Sequence, residues 1–388
     1  MHPHIPIHDL WWLAAGGAGY GARYVRHKVR TIRVRATRAR LRDPTSDLLS
    51  LQAKYGYNAH SLVSVAPGAN AWMMPGLEGA IVYSEFGRVW LAAGDPIAKP
   101  EDLPALVNGF LAAAKKKRRI AAFVPATESF ACQARGLNLK ALKVGAAPYF
   151  DLQKWNPRGN SAKKMRAGVN QAKRAGVKIE LIRELSEPIK REVADLSLAW
   201  LKSRPAATTF GWLLAFDPFV QFESKKLFVA RDQNNRMIGL LSASPIPARN
   251  GWYLEDVLRA EGCPAGTSDL LVVETLMHLK TEGAQLATLG TAPLANEGED
   301  KLTNVENPMI ELGLKTLSRR FSTFYSFDGL RTFKAKFVPS WWECEYVLVQ
   351  GGAMVPTRVA HAILRALVPG GVKQLLTRKA LRSIKRRV

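Results

Sequence analysis

Residues 251–290 read GWYLEDVLRAEGCPAGTSDLLVVETLMHLKTEGAQLATLG and contain three consecutive elements of secondary structure. The β-rich run at 251–259 predicts a strand. The next apolar pattern predicts a helix at 267–281, which is capped by Thr267 or Ser268 and ends before Gly283. A second β-rich run at 285–290 follows. The stretch is therefore predicted to form a strand–helix–strand unit.

The same plan is predicted on both sides of a basic segment. In the first half, strands are predicted at 80–84, 88–93, 120–124 and 148–152, with helices at about 103–117 and 127–135. In the second half, strands are predicted at 177–182, 226–231, 237–245, 251–259, 285–290 and 344–349, with helices at about 187–203, 267–281, 309–323 and 328–336. Each half resembles an α+β unit in which a strand meander leads into a β–α–β element, although the sequence itself contains no internal repeat.

These patterns predict an α+β protein with two similar domains joined by a basic helix. The predicted boundaries are 1–44 for an apolar and Arg-rich segment, 45–158 for the first domain, 159–178 for the linker helix, 179–350 for the second domain and 351–388 for a basic amphipathic tail.

The composition excludes several classes of protein. The 388 residues are 47% hydrophobic and 23% charged, which is typical of a folded globular chain. Three scattered cysteines and seven histidines are too few for a disulfide framework or a multi-histidine metal centre. We therefore expect no metal and no cofactor.

The positive charge is concentrated in a few segments of the chain. There are 56 Lys and Arg against 32 Asp and Glu, a formal net charge of +24. Residues 1–42 carry nine Lys and Arg with one acid, and residues 351–388 carry nine with none. The run at 115–119 is entirely basic, and the stretch from Lys154 to Lys178 has eight Lys and Arg and no acid. This distribution favours polyanionic partners, and both nucleic acid and an anionic membrane qualify.

Both termini have features of membrane-associated segments. Residues 10–22 form an uncharged run of 13 residues that contains Trp11 and Trp12. A spanning helix needs about 20 apolar residues, so we predict a shallow interfacial anchor, with a helix packed on the body and a true span as alternatives. In the tail, Val359, Ile363, Leu364 and Leu367 form one apolar stripe, and Val372, Leu375, Leu376, Leu381 and Ile384 form another. A basic amphipathic tail of this kind is expected to lie on an anionic bilayer, or to be a solvated tail without a lipid role.

Five motifs follow one another in a characteristic order in the second half. They are Glu255-Asp256, Arg259, Gly266-Thr267-Ser268-Asp269 at the start of a helix with Glu274, residues 289–294 (LGTAPL) and residues 327–337 (FDGLRTFKAKF). This order resembles the catalytic domain of the phosphatidylglycerol lysyltransferases and alanyltransferases. The turn at 91–96 (LAAGDP) and the basic helix at 161–176 are also similar to that family, so the resemblance covers about residues 45–350.

The resemblance implies a tandem GNAT fold and an acyltransferase of lipid metabolism. The implied reaction moves an aminoacyl group from aminoacyl-tRNA to a membrane lipid such as phosphatidylglycerol. It also implies a bacterial protein at the cytoplasmic face of the inner membrane, with a role in resistance to cationic peptides. Two polyanionic substrates agree with the separate basic segments of the chain.

The expected catalytic residues are Asp256, Arg259 and Asp269. Neighbouring residues of a strand point to opposite faces, so only one of Glu255 and Asp256 can face a cleft, and we expect it to be Asp256. Asp256 is expected to act as a base or to bind the substrate ammonium, and Arg259 to bind a lipid or tRNA phosphate. The alternative is a structural pair between Asp256 and Arg259. Asp269 is expected to recognise the aminoacyl ammonium, or to serve only the helix dipole.

Further residues are expected to bind substrates. The proposed substrate-binding set is Glu255, Gly266, Thr267, Ser268, Lys334 and Lys336, in which the helix start offers N–H donors and the lysines reach a phosphate or solvent. The proposed tRNA-binding set is Lys163, Lys164, Arg166, Lys173 and Arg174 on the basic helix. The alternative for that helix is an ordinary solvated surface.

Three other functions stay open at this level. Acyl-CoA-dependent GNAT enzymes cradle pyrophosphate with backbone N–H groups, and Pro264 removes one such donor from the matching loop at 259–266. The loss of this donor weakens the case for CoA binding, and an acyl-CoA-dependent lipid N-acyltransferase stays as the second hypothesis. An aminoacyltransferase acting on a peptidoglycan precursor shares the same implied architecture. The third is a non-catalytic RNA- or membrane-binding protein.

Overall fold

The computed structural model describes residues 44–66, 69–203, 217–300, 302, 327–351 and 355–367. The helices are α1 Pro44–Tyr55, α2 Ser61–Ser64, α3 Leu103–Lys116, α4 Glu128–Gln133, α5 Lys163–Arg174, α6 Glu187–Ser203, α7 Thr267–Thr281, α8 Phe327–Ala335 and α9 Val355–Leu367. The strands are β1 Asn70–Trp72, β2 Gly79–Phe86, β3 Val89–Ala93, β4 Ile97–Ala98, β5 Ile120–Thr127, β6 Leu139–Asp151, β7 Lys178–Ile182, β8 Lys226–Arg231, β9 Met237–Ile246, β10 Gly251–Arg259, β11 Leu286–Thr288, β12 Ala292–Pro293 and β13 Trp341–Gln350.

The strands form one mixed sheet in the order β1-β2-β3-β5-β13-β6-β11-β10-β9-β8-β7, with β4 beside β2 and β12 beside β6. Two pairs in this sheet are parallel, β3 with β5 and β10 with β11, and each pair is connected through a helix. The mixed α/β character predicted from the sequence is confirmed.

The two halves of the sheet repeat one plan and share their central strands. In the first half an antiparallel meander leads through α3 to β5, and in the second half a meander leads through α7 to β11. The strand β6 lies beside β11 of the second half, whereas β13 lies beside β5 of the first half. The long ladder between β6 and β13 joins the halves. The prediction of a short strand at 148–152 missed most of β6, because its first part lacks a strong β-rich run.

Both faces of the second half are covered by helices, which explains its continuous apolar strands. On β8, Phe228 and Ala230 pack in the cluster that contains α7, whereas Leu227 and Val229 pack in the cluster that contains α6. This alternation has the two-residue period of a strand. The position of α7 on the sheet is thereby set by buried side chains.

The first half is covered in the same way, and this corrects the expectation for the start of the tail. On β3, Trp90 packs in the cluster of α3, whereas Val89 and Leu91 pack in a cluster with Val359 and Ala362 of α9. Val359 is buried, so the prediction that its stripe faces lipid is wrong. Residues 1–43, the helix predicted at 309–323 and the second stripe at 372–384 lie outside the described residues. Within the described ranges, no helix has both the length and the apolar character needed to cross a membrane.

Candidate functional site

The second half of the sheet opens between β10 and β11. These strands pair only where Gly251–Tyr253 lie opposite Leu286–Thr288. Beyond this point β10 continues to Arg259, while the chain after β11 turns at Gly290, which has a φ of +68°. The edge of β10 that carries Glu255 and Asp256 is therefore not hydrogen-bonded to β11, and its side chains border an opening in the sheet.

A β-bulge at Glu255 brings two carboxyl groups together. In the ladder with β9, Leu254 lies opposite Ala243 and Asp256 lies opposite Ser242, so Glu255 is an extra residue on β10. A bulge breaks the strict alternation of side chains. Burial and, after it, the negative charge of Glu255 raise the pKa of Asp256. The expectation that the two carboxylates point to opposite faces is wrong, because it assumed an unbroken strand.

Lys225 lies next to this pair, and sequence reasoning did not find it. Its ammonium is 3.1 Å from the Glu255 carboxylate, and the two side chains are 5% and 9% exposed. Lys225 also donates a hydrogen bond of 3.4 Å to the carbonyl of Asp217. Burial raises the pKa of Glu255 while the charge of Lys225 lowers it. Thirty residues separate Lys225 from Glu255 in the chain, and no local pattern marks their contact.

Asp256 has the properties of a proton acceptor at neutral pH. Desolvation is the largest cause that raises its pKa, to about 7, with the charge of Glu255 second and Lys225 acting in the opposite direction. Within the part of the chain that the structure describes, no side chain forms an ion pair or hydrogen bond with the Asp256 carboxyl. A carboxyl group of this kind exchanges its proton near the pH of the cell.

Arg259 stands at the exposed end of β10, separate from Asp256. It donates a hydrogen bond of 3.7 Å to the sulfur of Cys263. The alternative in which Arg259 only neutralises Asp256 is therefore wrong. Its guanidinium is exposed at the end of the strand that borders the opening.

Asp269 and Lys336 are brought together, but as partners of each other. The Lys336 ammonium forms an ion pair with the Asp269 carboxylate, which is buried in the first turn of α7. Gly168 of α5 packs directly on this carboxylate, and a Cβ at Gly168 would overlap it. Asp269 therefore connects α5, α7 and the end of α8, in contrast to the open ammonium-binding position expected from the sequence.

The start of α7 is closely packed. Gly266 has a φ of +85°, and the carbonyl of Gly168 lies against it so closely that a side chain could not be accommodated. Thr267 is fully buried, and its hydroxyl donates a hydrogen bond of 2.6 Å to the carbonyl of Pro264. Ser268 is partly exposed. Of these three predicted substrate-binding residues, two therefore have structural roles. Gly266 allows the start of α7 to pack closely on α5, and Thr267 fixes the loop at Pro264.

Lys334 supports the other side of the opening. Its ammonium is buried and donates hydrogen bonds of 2.7 and 2.6 Å to the carbonyls of Gly290 and Thr291. Burial lowers the pKa of Lys334 to about 7, and the neighbouring Glu345 opposes this effect. Lys334 thus fixes the turn after β11, whereas the sequence had suggested a phosphate or solvent as its target.

The predicted tRNA-binding residues divide into two groups on α5. Lys163 and Lys164 are exposed at its first turn. Arg166 donates hydrogen bonds to the carbonyls of Pro157 and Gly159, Lys173 forms an ion pair of 2.7 Å with Glu274, and Arg174 is exposed and bonds to its own helix. The opposite face of α5 is buried through Met165, Val169 and Ala172.

A second polar cluster, which the sequence did not predict, lies where the two halves of the sheet meet. Arg249 forms an ion pair of 3.0 Å with Glu343 and lies 4.3 Å from the centre of the Tyr149 ring. In the same region, burial raises the pKa of Glu345 to about 7. Asp95, which the sequence suggested as a turn residue, is buried and accepts a hydrogen bond of 2.7 Å from Thr127. These groups come from separate strands and loops, so only the sheet order brings them together.

Comparison with known proteins gives the family. Residues 51–349 match the family described as "Phosphatidylglycerol lysyltransferase, C-terminal". The chain belongs to this family. The resemblance stated from the motif order is confirmed.

Individual relatives agree with this assignment. The phosphatidylglycerol lysyltransferase of Bacillus subtilis (strain 168) is 24% identical over 263 residues, which is 67% of this chain and 30% of that protein. The lysylphosphatidylglycerol biosynthesis bifunctional protein LysX of Nocardia farcinica is 24% identical over 302 residues, 76% of this chain and 26% of the relative. The chain thus spans about a third or less of these curated relatives.

Two solved structures are similar over most of the chain. One is the C-terminal domain of a putative lysylphosphatidylglycerol synthetase from Agrobacterium fabrum, with 25% identity, a TM-score of 0.69 and coverage of 83% of this chain and 96% of that one. The other is L-PGS from Bacillus licheniformis, with 21% identity, a TM-score of 0.71 and the same coverages. The similarity to L-PGS establishes a common fold.

Proposed function

We propose that this protein transfers an aminoacyl group from aminoacyl-tRNA to a hydroxyl group of phosphatidylglycerol at the cytoplasmic face of a bacterial membrane. The observation that carries the proposal is Asp256. It combines a pKa raised to about 7, a position beside the opening between β10 and β11, and a carboxyl with no ion-pair partner among the described residues. The family assignment supplies the class of reaction.

The architecture behind this site is proposed to be two GNAT-like domains in tandem, with α5 as the basic helix between them. The support is topological. Each half has a meander, a connecting helix and a parallel strand, and the halves exchange one strand across the centre of the sheet. The second half is the proposed catalytic domain, because it contains the bulge with Glu255 and Asp256.

Asp256 is proposed as the general base. Its carboxylate accepts the proton of the lipid hydroxyl while the hydroxyl oxygen forms a bond to the ester carbonyl carbon of the aminoacyl group. The bond from this carbon to the ribose oxygen of the tRNA then breaks, and the proton passes from Asp256 to that oxygen. A base with a pKa close to the working pH is best suited to accept and return a proton.

Neighbouring groups are assigned supporting roles. The ion pair of Lys225 with Glu255 holds the bulge that orients Asp256, and Lys334 holds the turn on the other side of the opening. The exposed Arg259 is proposed to bind a phosphate group of the lipid or of the tRNA. Lys163 and Lys164 are proposed to contact the tRNA backbone, because they are exposed on a helix without acids.

The packed start of α7 supports aminoacyl-tRNA over acyl-CoA as the donor. In an acyl-CoA site, free N–H groups at this helix start would receive a pyrophosphate. Here the carbonyl of Gly168 lies against Gly266, and the N–H of Thr267 donates to the carbonyl of Pro264 at 3.3 Å. One N–H group of such a cradle is therefore already engaged within the protein, and the backbone at Gly266 is closely covered.

The test is a transfer assay with the full chain, aminoacyl-tRNA carrying a labelled amino acid, and phosphatidylglycerol vesicles. We expect label in the lipid extract that disappears when the tRNA is digested with RNase beforehand. The variant Asp256→Asn should abolish the transfer and keep the melting temperature, whereas the exposed control Asp195→Asn should keep both. Lipid labelling that occurs only with acyl-CoA, or normal turnover by Asp256→Asn, would refute the proposal.

A further inference from the structure

An exposed indole ring stands at the junction of the two halves of the sheet. Trp341, the first residue of β13, is 38% exposed, and it is the aromatic member of the exposed large hydrophobic residues in the described ranges. Its ring is stacked on that of Tyr149, with centroids 5.5 Å apart and an interplanar angle of 9°. The ring is therefore held in one orientation while much of its surface remains accessible.

The support under this ring is rigid and charged. Tyr149 is buried, and the guanidinium of Arg249 lies 4.3 Å from its ring centre and 5.0 Å from that of Tyr57. Arg249 is in turn fixed by Glu343 at 3.0 Å. A planar surface that is already ordered loses little conformational entropy when a ligand stacks on it.

The sheet register connects Trp341 with the proposed catalytic opening. Across four neighbouring strands, Trp341 pairs with Tyr149, Tyr149 with Thr288, and Thr288 with Tyr253. Strands lie about 4.8 Å apart, so this row spans about 14 Å from Trp341 to the point at which β10 and β11 part. Residues directly opposite one another share a face of the sheet, so the four side chains of this row lie on the same face.

Basic residues follow in the chain where β6 ends. Ser340 accepts a hydrogen bond of 2.9 Å from the backbone N–H of Asp151, where β6 ends and the chain continues towards α5. The exposed basic residues of this connection and of the first turn of α5 are Lys154, Arg158, Lys163 and Lys164. Surfaces that bind single-stranded nucleic acid combine exposed aromatic rings, on which bases stack, with basic residues that contact the backbone.

We propose that Trp341 is a stacking platform for an unpaired nucleobase at the 3′ end of the tRNA substrate, with the exposed basic residues between Lys154 and Lys164 binding phosphates elsewhere on the same tRNA. The inference rests on the proposed function, because the aminoacyl ester is carried by that single-stranded end. Tyr149, Thr288 and Tyr253 are buried, so the nucleotides would run over the segments that cover this row, and the distance of about 14 Å to the end of the β10–β11 pairing is short enough for a few of them to span. A lipid surface fits less well, since the other exposed large hydrophobic residues described here, Met73, Met277 and Leu294, lie on separate elements.

The test compares intact uncharged tRNA with the same tRNA shortened by its unpaired 3′ nucleotides. Trp341→Ala removes one base–ring stack and should weaken binding of the intact tRNA roughly tenfold, which is about 1.4 kcal/mol. The variant should leave the weaker binding of the shortened tRNA unchanged. Trp341→Phe should retain part of the preference for the intact end, and Met277→Ala, a control for loss of an exposed hydrophobic side chain, should retain all of it.

Kinetics and vesicle binding complete the test. With saturating lipid, Trp341→Ala should raise the KM for aminoacyl-tRNA and leave kcat unchanged, with a normal melting temperature. Equal loss of binding for both tRNAs would overturn the proposal, as would loss of vesicle co-sedimentation with unchanged tRNA binding. If the wild type prefers the intact end but labels no lipid, the proposed function fails and the platform stands. If lipid is labelled without any end preference, only the platform fails.

Discussion

Replacing Glu255 with Gln tests whether the bulge sets the pH at which Asp256 acts. Glu255 and Asp256 are neighbours in the bulge, and the charge of Glu255 raises the pKa of Asp256, after the larger effect of burial. The substitution keeps the size of the side chain and removes its negative charge. Lys225, which is 3.1 Å from the Glu255 carboxylate, is then left with an uncompensated positive charge that also favours ionised Asp256.

The expected shift follows from Coulomb's law. Two unit charges about 6 Å apart at an effective dielectric constant of about 20 interact by about 3 kcal/mol, or about two pKa units. Asp256 is partly exposed, and solvent screening reduces this value. We therefore expect a decrease of about one to two units, from a pKa of about 7 in the wild type.

The sign of the effect on the rate is fixed by the role of a base. Asp256 is active when deprotonated, so kcat/KM of the wild type should rise with pH through about 7. In Glu255→Gln the same rise should occur about one to two units lower, so at pH 6 the variant should reach about half to nine-tenths of its own maximum while the wild type reaches about a tenth. The maximum of the variant should be lower, since a weaker base accepts the proton less readily.

The assay is the initial rate of RNase-sensitive lipid labelling with preformed aminoacyl-tRNA between pH 5.5 and 8. The control is Glu261→Gln, which removes an exposed carboxylate from the loop after β10. A rise that stays near pH 7 in Glu255→Gln would refute the assignment of Asp256 as the base. An equal displacement in Glu261→Gln would refute the assignment of the effect to the bulge.

Three further predictions concern α5 and α9. Changing both Lys163 and Lys164 to Ala should raise the KM for aminoacyl-tRNA and reduce the slope of log KM against log salt by about two, whereas the same change at Lys115 and Lys116 should do neither. Gly168→Ala should cost about 1–3 kcal/mol in thermal unfolding, because its Cβ meets the buried Asp269 carboxylate, whereas Asn170→Ala on the exposed side of α5 should not destabilise. Val359→Asp should lower the melting temperature by several degrees, because it buries a carboxylate under α9. The control is Arg365→Ala, which changes an exposed residue of the same helix and should be neutral. An unchanged melting temperature in Val359→Asp would contradict the packing of α9 on the sheet.

The predicted site residues fall into two groups: those that stand open to a substrate and those that hold the surrounding loops and helices. Of the predicted catalytic residues, Asp256 borders the opening and Arg259 stands exposed at the end of its strand, whereas Asp269 is engaged with Lys336 between helices. Lys334 likewise acts on backbone carbonyls. A residue of a recognisable motif can thus have a structural role, because it holds in place the loop or helix that carries another residue of the motif.

The local sequence was sufficient to predict most elements of secondary structure. The strand at 251–259 and the helix at 267–281 were predicted with the bounds that the structure has, because the β-rich run, the apolar helical pattern and the terminating glycine are local signals. The predicted cap at Thr267 or Ser268 is wrong, since Gly266 occupies the N-cap and makes no side-chain capping bond. The order of motifs was likewise sufficient for the family, since it depends on residue identities along the chain.

Contacts between distant segments required the tertiary structure. The bulge at Glu255 depends on the register of β10 with β9. The burial of Lys225 depends on its contact with Glu255, thirty residues away in the chain. The ring of Trp341 stacks on that of Tyr149 because β13 pairs with β6. Val359 is buried because α9 covers one face of β3 and β5. Local propensity acts over a few residues, whereas charge coupling, burial and stacking depend on which surfaces the folded chain brings within a few ångströms of one another.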